Sequence, residues 1–160
     1  MELVFERDFE FAPVIVWDAL VDGDLVSGWL AEAVIEPVVG GEYNLRWVNR
    51  VGQPASLGRI TAMQPLERLH VDTTTVGLLR FELEQIEGGS RGTSTRLVLR
   101  VDVEVEPAFA ARVKADWLTN LDQLDDLLRG HPVDWANWDR DRREAWAQHF
   151  DDSANSADVM

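Results

Sequence analysis

Between Pro107 and Gly130 the apolar side chains Phe109, Ala110, Val113, Trp117, Leu121, Leu124 and Leu128 return every three or four residues. Arg112, Lys114, Asp116, Asp122 and Asp125 fill the rest of the turn and are expected to face elsewhere. That spacing predicts an amphipathic helix with one apolar stripe. Pro107 suits its first turn, Gly130 suits the left-handed residue after its last, and Pro132 forbids continuation. At 1.5 Å per residue, about 22 residues give a rod of roughly 33 Å. A rod of that length with one greasy face needs a partner surface of similar length, and this requirement constrains the rest of the chain.

The partner is written in period two. Leu3, Phe5, Phe9 and Phe11 occupy odd positions with Glu6, Asp8 and Glu10 between them, the pattern of a half-buried strand. Pro13 then opens a short helix carrying Val16, Trp17, Ala19 and Leu20, and a second short helix follows Asp22-Gly23-Asp24 and runs to Trp29 and Leu30. Further strands are read at Ala33 to Glu36, at Tyr43, Leu45 and Trp47 after the Gly40-Gly41 turn, from Leu57 to Gln64, and from Arg68 to Thr75. A polar loop is read from Asn49 to Ser56. The last two strands carry Leu79, Phe81 and Leu83, then Leu97, Leu99, Val101, Val103 and Val105. Strands with one apolar face need cover on one side only, and the long helix is the one element able to give it. The expected class is therefore α+β: a curved antiparallel sheet of about six to seven strands wrapped around one long C-terminal helix, with two short helices after the first strand.

This domain should occupy residues 1–130. Residues 131–160 read as an extension of different character, because Trp135, Trp138, Trp146 and Phe150 are too many large apolar groups to leave in water. Part of the extension is expected to be helical and docked, on its own domain or on a second copy, which makes a homodimer a corollary. Its small, polar end from Asp151 is expected to be disordered.

Composition narrows the function classes. The formal net charge is −14, from 29 acidic against 15 basic residues, so the summed field repels phosphate backbones and anionic lipid surfaces. Nucleic acid and membranes are not expected partners. Glu2, Glu6, Arg7 and Asp8 interrupt any apolar leader, and no stretch approaches the length of a membrane span, so the expected location is cytoplasmic. There is no cysteine, which removes thiolate metal sites and thiol nucleophiles. His70, His131 and His149 have no spacing that puts two on one helical face, so no metal site is expected. Ser27-Gly28-Trp29 lacks the frame of a nucleophile elbow, and Gly40-Gly41 and Gly88-Gly89 lack that of a phosphate loop. No catalytic set and no cofactor site emerge.

Six segments, in order and at matching spacing, resemble a known family: FEFAPVIVWDAL (Phe9 to Leu20), SGWL (Ser27 to Leu30), VVGGEYNL (Val38 to Leu45), LGRITAMQPLERL (Leu57 to Leu69), TRLVLRV (Thr95 to Val101) and DWLTNLDQLDDLL (Asp116 to Leu128). The chain is similar to the START and birch-pollen-allergen-like superfamily (SRPBCC, the helix-grip fold), and more narrowly to the branch named after the activator of the heat-shock-protein-90 ATPase. It departs from that branch at Asp116, where Gly is usual, and at Val71 and Asp72, where an aromatic is common. The resemblance implies a cavity between sheet and long helix, which relatives use for lipids, hormones or polyketides and in some cases for catalysis. No invariant catalytic set comes with it.

The expected cavity measures roughly 300 to 1,000 Å³. Its expected lining is Trp29, Trp47, Phe81, Leu83, Leu99, Trp117 and Leu121, the alternative being that these rings simply fill the core. Seven tryptophans against one tyrosine suggest either a bulky core or large aromatic walls around a pocket, and a cavity lined by these rings would favour a flat, largely apolar ligand. Three groups are possible polar members. Arg7 sits at an inward position of the first strand and must reach solvent, an acid such as Glu36, or a ligand anion. His70 shares a face of its strand with Asp72, near Arg59, although Leu69 and Val71 claim the inward side. The leading reading is non-catalytic binding of a small hydrophobic, planar molecule. The alternatives are an enzyme of the polyketide cyclase or dehydratase kind, which needs convergent polar groups in the cavity, and a co-chaperone-like interaction module.

Overall fold

The apolar alternation of the strands and the three-to-four spacing of the long helix become, in the computed structural model, one sheet packed against helices; residues 1–48 and 52–158 are described. The first strand, β1 (Glu2–Phe9), leads into α1 (Pro13–Val21) and α2 (Gly23–Val26). Six more strands follow: β2 (Glu32–Ile35), β3 (Tyr43–Arg46), β4 (Gly58–Gln64), β5 (Arg68–Thr73), β6 (Leu78–Glu87) and β7 (Thr93–Asp102). A short turn of 3₁₀ helix at Pro107–Phe109 opens α3 (Ala110–Leu128), and another at Trp135–Asn137 opens α4 (Trp138–Asp158). The strands pair antiparallel in the order β1-β7-β6-β5-β4, while β2 and β3 form a separate hairpin. Single pairings, Glu42 with Arg59 and Leu45 with Ser56, carry that hairpin onto β4. At Gly58 the chain passes so close to the Tyr43 carbonyl that a Cβ would lie 2.3 Å from its oxygen. The polar loop read from Asn49 lies partly outside the described residues.

Three differences from the sequence reading have physical reasons. A bulge between Ile60 and Ala62 restores phase on β4, so that Ile60 and Met63 both sit opposite the inward Val71 and Leu69. That bends the strand. β7 stops at Asp102 because its partner begins there, with Leu78 opposite Asp102. Val103 and Val105 therefore lie beyond the ladder rather than in the strand. The second short helix ends at Val26, and turns carry the chain to Leu30, because Gly28 passes against Leu127 and Pro132.

Leu3, Phe5 and Phe9 of β1, Leu69 and Val71 of β5, Leu79, Phe81 and Leu83 of β6, and Leu97, Leu99 and Val101 of β7 form the inner face. α1 and α3 cover it through Val16, Leu20, Trp117, Leu121 and Leu124. Aromatic polar atoms finish the last turn of α1: Trp29 Nε1 donates to Ala19 O at 2.8 Å and the Tyr43 hydroxyl donates to Leu20 O at 2.7 Å. Both side chains have no exposed surface. The Tyr43 phenol is pushed far above its ordinary value by that burial.

α3 closes with Gly130 at φ +92°. Its N–H donates to Leu127 O at 2.9 Å and the His131 N–H to Asp126 O at 2.8 Å, the paired bonds of a Schellman stop. The polar arc of α3, expected to face away from the sheet, is the seat of α4. From Val113 to Leu128 no α3 residue is exposed. Trp146 Nε1 donates to Asp116 Oδ1 at 2.8 Å, Trp138 Nε1 to Gln123 Oε1 at 2.8 Å, and Arg142 pairs with Asp126. Trp135 Nε1 reaches Ser27 O at 2.7 Å, and Trp146 stacks on Phe150 with centroids 5.4 Å apart. The helical backbone reaches Asp158; the last two residues of the end expected to be disordered lie outside the described residues.

Candidate functional site

At one end of the sheet, β7 has ended and β6 has not begun, so α3 meets no strand there. The gap is a recess of about 190 Å³. Val76 before β6, Val103 and Val105 after β7, and Trp47 after β3 supply walls, and α3 contributes Val113, Asp116, Trp117 and Asn120 from successive turns of one face. Gln53, Thr75 and Glu104 complete the rim. A space of about 150 Å³ holds a benzene ring, so this one suits one or two fused rings. It is smaller than the cavity expected from sequence.

Gln53 and Asp116 also belong to an open groove of about 480 Å³ between the first turns of α3 and α4, lined further by Arg112, Trp138, Asp139, Arg143 and Trp146. Arg143 is paired with Asp139 at 3.1 Å. Behind the recess lies a void of about 10 Å³, bounded by Trp47, Asp116, Thr119, Asn120, Trp138 and Trp146 among others. That is room for about one water. Thr119 is 3 % exposed, and its hydroxyl makes no hydrogen bond with any described residue.

Of the seven residues read from sequence as cavity lining, Trp47 and Trp117 wall the recess. Trp29, Phe81, Leu83, Leu99 and Leu121 are in the packed core, each at most 8 % exposed. Inner side chains midway along the strands meet α1 and α3 directly, and the recess lies beyond them, where the ladder ends.

The three polar candidates line none of these spaces. Arg7 Nη1 donates to Asp122 Oδ1 at 2.7 Å, and Asp122 Oδ2 lies 2.7 Å from His149 Nε2 on α4. Its partner is thus Asp122 rather than Glu36, which is exposed in the hairpin. Arg59 is exposed and donates to Gly40 O at 2.8 Å. His70 is on the outer sheet face, opposite Arg80 on β6. Burial, then the charges of Arg68 and Arg80, lower its pKa from the ordinary histidine value.

The wall residues missed from sequence are Val76, Val103, Val105, Val113, Asp116 and Asn120. Val113, Asp116, Trp117 and Asn120 share one helical face, a legible signal; the early end of β7 is a pairing outcome with no local signature. Among the described residues, no group of three or more metal-ligating side chains could hold an ion, and no helix is long and apolar enough to cross a membrane.

Comparisons with known proteins agree with this fold. A crystal structure of a protein from Rhodobacter sphaeroides is 28 % identical, with a TM-score of 0.67 over 81 % of this chain and 92 % of that one. The solution structure of the Aha1 dimer from Colwellia psychrerythraea is 18 % identical, with a TM-score of 0.67 over 80 % of this chain and 96 % of that one. CalU16 from Micromonospora echinospora is 23 % identical, with a TM-score of 0.58 over 93 % of this chain and 88 % of that one. The last two likenesses concern the fold. Comparison with curated proteins gave no match. Residues 10–129 match the profile of the family described as activator of Hsp90 ATPase homolog 1-like protein, and with three quarters of its length inside that match this helix-grip chain belongs to the family.

Proposed function

We propose that the domain binds, without transforming it, a small, flat and mostly apolar molecule in the recess at the open end of the grip. One observation carries the reading: two tryptophan rings from separate elements, Trp47 and Trp117, and the four valines Val76, Val103, Val105 and Val113 surround space left open rather than filled. Unfilled space beside large apolar groups forfeits dispersion contacts that a ligand restores. Family membership supports a binding role of this kind.

The test is titration with a neutral bicyclic probe such as 2-naphthylmethanol, followed by calorimetry, on the parent chain and on Val103→Trp. The parent is expected to bind saturably at one site. The variant, whose indole fills the recess, is expected to lose binding while keeping its far-ultraviolet circular dichroism. Undiminished binding by a folded Val103→Trp protein would move the site elsewhere.

A further inference from the structure

We propose that docking of α4 encloses one ordered water against Thr119, and that this water is a built-in part of the joint between the helix-grip domain and its extension. The inference concerns the small void behind the recess and stands whether or not the recess takes a ligand.

The first observation is a buried polar atom. Thr119 lies in the middle of α3, and a threonine inside a helix ordinarily points its hydroxyl to solvent or back onto the carbonyl four residues earlier. Neither route is taken here. The side chain is 3 % exposed, and its oxygen has no hydrogen-bond partner among the described residues. A hydroxyl buried in that state is unfavourable, and buried polar groups that lack a protein partner are satisfied by ordered water.

The second is a space of the right size beside it. Thr119 borders the void of about 10 Å³, which holds about one water and nothing larger. Asn120 lines the same void and brings a carboxamide that both donates and accepts. A buried water needs two to four partners, and this amide together with the hydroxyl meets the lower bound. A metal ion is a poorer occupant, because no group of three or more metal-ligating side chains occurs among the described residues.

The third is what closes the void. Trp135, Trp138 and Trp146 form part of its wall, and all three lie beyond residue 129, where the family match ends. Each indole has one N–H, and each is committed elsewhere: to Ser27 O, to Gln123 Oε1 and to Asp116 Oδ1 respectively. The extension therefore covers Thr119 without satisfying it. Lifting α4 would open the chamber to bulk solvent, so the residence time of the enclosed water reads the attachment of α4.

The test uses the full chain. A crystal structure of the parent is expected to show a water inside the void at hydrogen-bond distance from Thr119 Oγ1. In solution, oxygen-17 relaxation dispersion is expected to detect a long-lived water that Thr119→Val loses and Thr119→Ser keeps. Thr119→Val should also lower Tm by roughly 2–4 °C, because the water loses a partner, whereas removal of a dry, orphaned hydroxyl would raise it. Trp146→Phe keeps a ring but not the bond to Asp116, and should shorten the residence of that water several-fold by loosening α4. A dry void in the crystal, or a Thr119→Val protein at least as stable as the parent with unchanged dispersion, overturns the water. A residence time indifferent to Trp146→Phe overturns its dependence on α4.

Discussion

Gln123 is the joint through which α4, α3 and the turn after α2 are held together, and replacing it with leucine of similar volume measures that joint. The side chain is 1 % exposed. Its Nε2 donates to Trp29 O at 2.7 Å and its Oε1 accepts from Trp138 Nε1 at 2.8 Å, so both ends of the amide are used. Gln123→Leu strands an acceptor and a donor at once. A buried group left without its partner costs about 1–3 kcal/mol. Trp138 is half-buried, so water recovers part of the loss on that side, and the leucine gains some apolar transfer. The expected net loss is about 2–3 kcal/mol. For a chain of this size that corresponds to a Tm lower by roughly 4–12 °C.

Urea denaturation followed by tryptophan fluorescence should show a lower midpoint with an unchanged slope. A cycle with Trp138→Phe should return a coupling of about 1 kcal/mol, since the two changes remove one shared bond. A loss below about 0.5 kcal/mol, or zero coupling, would refute the joint.

Two further outcomes are expected. Gly130→Ala should cost about 1–2 kcal/mol in thermal unfolding through the φ of +92° alone, because nothing lies within 4 Å of the added Cβ; an unchanged Tm would mean that the helix stop relaxes freely. His70 is held below its ordinary value by burial and by Arg68 and Arg80, so as pH falls the unfolded chain takes up the proton first; this stability is full above about 6.5 and declines below it. His70→Gln should therefore gain on the parent as pH falls from 8 to 5, and a stability difference that stays flat with pH would contradict the account.

Much of the fold was legible because its signals are local. Pro13, the alternation of Leu79, Phe81 and Leu83, and the stripe from Val113 to Leu128 each declare an element without reference to distant residues. What stayed hidden depends on pairing. The bulge beside Thr61 is visible only once Ile60 and Met63 are set opposite Val71 and Leu69. The end of β7 depends on where β6 starts, and the recess follows from that end. The partner of the polar arc of α3 stayed unassigned for another reason: a helix covered on both sides by different chemistries looks amphipathic. Trp138, Arg142, Trp146 and His149 recur at helical spacing, and reading them as a second face would have matched them to Gln123, Asp126, Asp116 and Asp122.

That second face explains how the site is built. The family match ends at residue 129, yet Trp138 and Trp146 of α4 wall the groove and the void beside the recess. α4 is attached through indole N–H bonds to Asp116 and Gln123, the Arg142–Asp126 ion pair and the His149–Asp122 hydrogen bond, contacts that water can replace, whereas the sheet is joined to α1 and α3 by a continuous apolar core. Net contributions of such exchangeable bonds are small, so α4 is expected to open at lower cost than the sheet. A ligand that touches Trp138 or Trp146 as well as the recess binds only the docked form and stabilises α4 in proportion to its affinity for that form. For a ligand of the proposed kind that reaches them, binding at the recess and attachment of the extension would be one equilibrium, joined at Asp116, which lines the recess, the groove and the void and accepts the Trp146 bond.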